Sequence, residues 1–161
     1  MLGLANTVSS TSTPESKYSL NFDGTNDYVG LGPSTDFGAT DQAAITVSLW
    51  FKTSDTNSNN YLFATRRSSS GVNFAIRFKD DGSGKVQGLI WDSGASTSRG
   101  TLSDNDESDG NWHHVVFTAE DGSQKIYIDG TLENTTTGAM ALAPTADSAS
   151  IGTFGTSSGL A

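Results

Sequence analysis

G-N-W-H-H-V-V-F-T-A-E-D-G-S-Q-K-I-Y-I-D-G-T-L, residues 110 to 132, reads as three short strands joined by two Asp-Gly turns, Asp121-Gly122 and Asp129-Gly130. Asp-Gly between alternating apolar runs is a strong hairpin signal, because glycine accepts the positive φ that such turns need. The stretch predicts an antiparallel β-meander.

The flanking sequence alternates in the same way. In A-I-T-V-S-L-W-F-K, Ile45, Val47, Leu49 and Phe51 share one face, and Thr46, Ser48, Trp50 and Lys52 share the other. Trp50 therefore stands among polar neighbours. V-N-F-A-I-R-F-K predicts Val72, Phe74, Ile76 and Phe78 inward, with Asn73, Arg77 and Lys79 outward. Asp80-Asp81-Gly82-Ser83-Gly84 closes a hairpin to K-V-Q-G-L-I-W, which is apolar on both faces near its end and leaves its inward set open. Y-L-F-A-T-R-R reads as a strand before a Ser68-Ser69-Ser70-Gly71 turn. Tyr18, Leu20 and Phe22 alternate with Ser19 and Asn21, so a half-buried strand is expected there, resuming after a turn as Y-V-G-L. Thr101-Leu102, A-M-A-L-A and A-S-I-G-T-F-G supply weaker strands.

No segment carries an apolar repeat of helical period over ten residues. Many short strands with turns between them predict an all-β fold, a two-sheet antiparallel β-sandwich over residues 17–161. Residues 1–16, Ser/Thr-rich with Pro14, predict a flexible N-terminal arm.

Nine basic against eighteen acidic residues give a net charge of −9. That sign opposes phosphate backbones and anionic lipid, so neither nucleic acid nor membrane insertion is expected. The absence of cysteine excludes disulfides, thiol catalysis and thiolate metal sites. The opening M-L-G-L-A-N-T-V-S-S has no basic region and only a very short apolar run, so it reads as neither a signal peptide nor a membrane span.

In order along the chain, F-D-G-T-N-D-Y-V, I-T-V-S-L-W-F, W-H-H-V, Y-I-D-G and S-I-G resemble the laminin G-like domains of the concanavalin A-like lectin/glucanase superfamily, a pentraxin-like jelly roll. The resemblance runs from Tyr18 to Gly155. It implies a non-catalytic recognition or adhesion module for a glycan or cell-surface receptor, working outside cells or on a virion surface. Such domains usually end on a strand like G-x-I-D-E-V-R-I-Y beside the first strand. The sequence stops at Ser157-Ser158-Gly159-Leu160-Ala161, so the sandwich is expected to lack its usual last strand. An open edge invites a strand from a neighbour, which points to a homo-oligomer or larger assembly. The arm M-L-G-L-A-N-T-V is similar to the starts of laminin-G-like structural proteins of marine bacteriophages. The alternative reading is thus a virion structural or decoration protein.

Several residues invite a chemical role. His113 and His114 are adjacent on a strand and point to opposite faces, and no third ligand or base is spaced to join them, so no catalytic residue is assigned. Glycosidases on this sandwich carry E-x-D-x-x-E, and Glu15, Glu107, Glu120 and Glu133 stand in no such pattern. The glycoside-hydrolase reading has no acids to support it.

Asp104, Asp106 and Asp109 are dense enough in oxygen to be candidate calcium ligands, which keeps Ca²⁺ open as a cofactor. Ser108 stands where the third EF-hand ligand would be and Val115 takes the twelfth position, a pattern that fits a solvated acidic turn better. Pentraxins bind calcium partly through an Asp-Asn pair near the positions of Ser68 to Ser70, and the serines do not match it. Aromatic rings on a polar face stack sugars, which makes Trp50 and Trp91 ligand-binding candidates, with Asn73 and Arg77 as hydrogen-bonding neighbours on a facing strand. Packing of Trp50 under a loop is the competing reading. Arg66-Arg67 fits an anionic sugar, or an offset for local acid charge.

Overall fold

The structure, a computed structural model, describes residues 18–23, 27–32, 44–55, 60–66, 72–92, 97–120, 122–138 and 148–153. In chain order the strands are β1 Val29–Gly32, β2 Ala44–Lys52, β3 Tyr61–Arg66, β4 Val72–Phe78 and β5 Val86–Asp92. They continue as β6 Thr97–Leu102, β7 Trp112–Glu120, β8 Gly122–Ile128, β9 Thr131–Gly138 and β10 Ser148–Ile151. A six-stranded sheet, β1-β10-β3-β4-β5-β6, faces a four-stranded sheet, β2-β7-β8-β9, and every pairing is antiparallel. The expected two-sheet sandwich is what the chain forms. No helix among the described residues is long and apolar enough to cross a membrane.

The meander is β7-β8-β9, with Asp129 and Gly130 both at positive φ in the second turn (50° and 82°). Asp121, in the first turn, lies outside the described residues, and Gly122 beside it has φ 82°. The core between the sheets is built from alternate residues: Phe74, Ile76 and Phe78 from β4, Val86 and Ile90 from β5, Val115, Phe117 and Ala119 from β7, and Ile126 and Ile128 from β8. Phe51 joins them from β2, edge-on to Phe78 with ring centroids 5.6 Å apart.

Gly88 has the role of a missing side chain. It faces the core from β5, and carbons of the Phe117 ring occupy the space its Cβ would take. A polar bridge crosses the core, the hydroxyl of Thr101 donating to Gln124 Oε1 at 3.3 Å, with both residues fully buried. That bond keeps two polar groups from being stranded in an apolar interior.

Two expectations are corrected, one is qualified and one open point is resolved. Tyr18–Phe22 is not a strand: Tyr18 and Leu20 are 89% and 65% exposed, and only Phe22 tucks in, against Gly152. Alternation marks a face, but a strand needs a ladder to take its backbone N–H and C=O groups, and no ladder pairs this segment among the described residues. Val72 leaves the core for a second cluster with Ala64, Ala75 and Leu89, because the β3–β4 register shifts between Thr65 and Arg66. Asn73, expected outward, is only 4% exposed. The outer face of the six-stranded sheet is covered around that second cluster, and alternation tells which face a residue takes, not whether that face is wet. The ambiguous β5 resolves with Ile90 inward and Leu89 in the outer cluster.

The weaker strands also divide. Thr101-Leu102 is the end of β6 and A-S-I-G-T-F-G contains β10. The N-terminal arm, the A-M-A-L-A run, Arg67 to Gly71 and the last residues lie outside the described residues.

Candidate functional site

The second Asp-Gly turn positions both histidines. Asp129 folds its carboxylate back over β7, where Oδ1 accepts the His114 backbone N–H at 2.8 Å and Oδ2 accepts from His113 Nδ1 at 2.9 Å. Its own N–H donates to the His114 carbonyl at 2.9 Å. Adjacent strand residues diverge, so one turn fixes an inward and an outward imidazole.

His113 points inward, its ring 5.7 Å from that of Phe51. Asp109 Oδ1 meets its Nε2 at 3.1 Å, and Glu107 Oε2 lies 3.5 Å from Nδ1. The loop after β6 brings these acids in, pinned by the Glu107 N–H donating to Gly84 O (2.9 Å) and the Gly110 N–H to Thr53 O (2.8 Å). Three carboxylates thus converge on a histidine for which spacing along the strand offers no partner. With acceptors on both ring nitrogens, the fitting form is the doubly protonated imidazolium. This is a clamp joining turn, loop and strand, and every member holds another in place.

The electrostatics follow. Partial burial disfavours the charged His113, but the hydrogen bonds to Asp129 and Asp109 and the charges of Asp129 and Glu107 outweigh it and raise its pKa. Hydrogen bonds from Asn111 and His113 bring Asp109 down to about 2. Asp129 is also lowered: burial opposes this, and the His114 N–H and His113 overcome it. Burial and the nearby Glu133 raise Glu107.

A raised histidine pKa stabilises the fold fully below the unfolded value of about 6.5, and that contribution disappears as pH rises through the folded value. The raised Glu107 likewise favours the fold at the acid side of its titration. The lowered aspartates contribute above about 3.9 and lose their contribution as pH falls through their folded values. Melting temperature is therefore expected to be highest between about pH 4 and 6.5 and to decline above it. His113→Gln should remove the decline above neutrality and leave the acid limb; an unchanged upper limb would refute the clamp.

His114 points outward. Its Nε2 lies 2.7 Å from the Ser48 hydroxyl, and its ring stacks on Trp50 with centroids 4.9 Å apart and planes 28° from parallel. Trp50 and His114 are direct cross-strand partners in β2–β7. Trp50 remains 61% exposed on this support, so packing under a loop does not describe it.

The ligand-binding candidates do not assemble into one site. Trp50 stands on the outer face of the four-stranded sheet, whereas Asn73, Arg77 and Trp91 alternate with core residues of the six-stranded sheet and so take the opposite outer face. There Arg77 donates through Nε and Nη2 to Gln87 Oε1 at 3.2 and 3.1 Å and lies over the Tyr61 ring. Asp104, Asp106 and Asp109 also have separate surroundings. Asp106 accepts the Ser108 hydroxyl and N–H, Asp109 turns to Asn111 and His113, and the Asp104 N–H donates to Glu133. Among the described residues no three His, Asp or Glu side chains are placed to hold a metal ion. The sequence signals for what was missed were the Asp of Y-I-D-G and the acids before W-H-H-V.

No curated protein matches the chain significantly. Solved structures of the same fold do. The mouse laminin α1 chain domains LG4-5 superpose with TM-score 0.57 at 15% identity, covering 79% of this chain and 32% of that one. The receptor binding domain of botulinum neurotoxin mosaic serotype C/D gives 0.60 at 17%, covering 80% and 32%. The Ruminococcus gnavus IT-sialidase CBM40 bound to α2,6 sialyllactose gives 0.57 at 14%, covering 76% and 74%. The chain thus spans about a third of the laminin and toxin structures. The sequence profile described as the concanavalin A-like lectin/glucanases superfamily, a laminin G type, matches residues 23–159, and the chain belongs to that family.

Proposed function

We propose that the chain is a non-catalytic recognition module that binds a glycan or a glycan-bearing cell-surface receptor outside the cell. The observation that carries this is Trp50, more than half exposed and held flat by a stacked, hydrogen-bonded His114. A sugar's C–H face meets the π-face of a ring held in this way, and the stacking on His114 reduces the ordering that a ligand would otherwise have to impose. The similar structures named for receptor binding and for a bound sialyllactose support the same reading.

A glycan array probed with the chain and with Trp50→Ala tests it. The variant should keep its melting temperature and lose about tenfold in affinity, the equivalent of about 1.4 kcal/mol. A blank array, or binding indifferent to the substitution, would end the Trp50 reading.

A second reading is an assembly role, as a virion structural or decoration subunit that displays the sandwich. The strand β2, which ends its sheet among the described residues, favours it. Nine consecutive residues pair with β7 without a register shift, Lys52 is the single charge, and no proline interrupts. Edges are normally guarded by bulges, charges or proline. The core-facing Ile45, Val47 and Leu49 are also only partly buried. Light scattering that finds a monomer at all concentrations would count against self-assembly.

A further inference from the structure

The outer face of the four-stranded sheet carries more than Trp50. Ladder register places Ser48, Val116, Tyr127 and Leu132 in one row across β2, β7, β8 and β9. The Trp50–His114 row lies on one side of it, with Lys52–Trp112 beyond, and the row of Thr46, Thr118, Lys125 and Thr135 lies on the other. Trp112 is 50% and Leu132 47% exposed. An apolar field of this kind on a soluble domain marks a binding surface.

Charges of both signs stand in and around the field. Lys52 and Lys125 point outward with it, and Glu120 closes it opposite Ala44 and Ser123. Asp129 sits at the turn opposite His114, while Asp109 and Glu133 border Trp112 and Leu132, engaged with His113 and the Asp104 N–H. A polyion of either sign would meet like charge here. A second copy of the same face meets opposite charge wherever symmetry sets cation against acid, and the geometry can be worked out from the registers.

A sheet surface without walls leaves a small molecule half in solvent, but another sheet of the same twist packs on it about 10 Å away with strands within about 30°. A symmetric pair needs a two-fold axis lying between the two sheets, either along the strands or across them. An axis along the strands, between β7 and β8, keeps every row opposite itself and sets β2 over β9 and β7 over β8 of the second copy. Val116 then faces Tyr127 of the second copy, and Trp50 reaches its Leu132. Lys125 comes to lie over β7 of the second copy, one row from its Glu120, and Lys52 comes near its Asp129 turn. Every contact occurs twice. An axis across the strands through the Val116 row would instead set Trp50 on Thr46 and Trp112 on Glu120 of the second copy, a poorer match.

We propose that this face is the interface of a symmetric dimer, in which two copies stack their four-stranded sheets about a two-fold axis parallel to the strands between β7 and β8. Rows about 7 Å apart and strands about 4.8 Å apart give roughly 600 Å² per copy and 1,200 Å² for the pair, the lower end of specific interfaces. The dimer is therefore concentration-dependent. It goes beyond the glycan reading and constrains it: the second copy covers Trp50, so a glycan bound there draws on the monomer.

Sedimentation velocity on the full chain, from micromolar to near-millimolar concentration, tests this without any ligand. A shift from monomer to dimer is expected. Val116→Lys, at a half-buried surface position near the axis, should leave a monomer that is still folded by circular dichroism, and Trp112→Ala should weaken the dimer about tenfold. Lys125→Glu and Glu120→Lys should each weaken it, and the double variant should restore it, because the pair is exchanged between copies. A monomer at all concentrations overturns the proposal, as does a dimer indifferent to Val116→Lys, or one in which the double charge reversal is no better than the single ones. A dimer indifferent to Val116→Lys would place self-association elsewhere, at β2 for example, and leave the assembly reading standing. A blank glycan array removes Trp50 recognition and does not touch this result.

Discussion

Phe117→Ala is expected to lower the free energy of unfolding by about 3–5 kcal/mol, read from the midpoint of a urea titration at unchanged slope. Phe117 is fully buried, tilts against Phe74 with centroids 5.1 Å apart, and fills the space over Gly88. Against a total stability of about 5–15 kcal/mol for a domain, this loss would leave a marginal fold. The same contact read from the other side gives a companion result. Gly88→Ala should cost about 1–3 kcal/mol, because its methyl group meets ring carbons that a packed core cannot move aside. In the double variant the ring is gone and the methyl has room, so the two costs should fall well short of adding. Full additivity would show that the ring and Gly88 do not share that space.

The second large effect is expected at Asp129. Asp129→Ala removes the acceptor for the His114 N–H and for His113, and leaves alanine at φ 50°, where a side chain is strained. A loss of about 2–3 kcal/mol is expected from the hydrogen bonds and strain together. Asp129→Asn keeps an oxygen and a residue that tolerates positive φ, so it should be milder, and Asp129→Gly should fall between. Tryptophan fluorescence should also change in the alanine variant, because the His114 backbone that the carboxylate holds carries the ring under Trp50. Equal stability of all three variants would remove the turn from its positioning role.

The parts of the structure legible in the sequence are those set by period and local turn chemistry. β2 and β7 alternate cleanly because one face meets the core, and the Asp129-Gly130 turn announces itself through the only residue pair suited to two positive φ values there. Trp50 on an outward face followed from the same alternation. What was not legible depends on neighbours distant in sequence. Tyr18–Phe22 has strand periodicity but no ladder among the described residues, and Val72 changes side through a register shift that no local pattern records. Glu107 reaches His113 only because its loop is fastened to Gly84, far back between β4 and β5. The wider aromatic field was hidden for a similar reason. Trp112, Tyr127 and Leu132 lie on three strands, and only the registers of β2–β7, β7–β8 and β8–β9 together place them beside Trp50.

The place of β10 has a consequence for how the molecule is made. β10 sits between β1 and β3, strands from the first half of the chain, and joins both. The meander β7-β8-β9 and the β4-β5 hairpin close over short loops and can form as soon as they are synthesised. The six-stranded sheet cannot close until Ser148–Ile151 arrives, and closing so long a loop precedes any gain from the contact. Until then β3 lacks its β10 partner, and an unpaired strand edge is prone to pairing with other chains. From the order of the strands, a variant that weakens β10 is expected to reduce soluble yield more than it reduces the melting temperature of the molecules that fold.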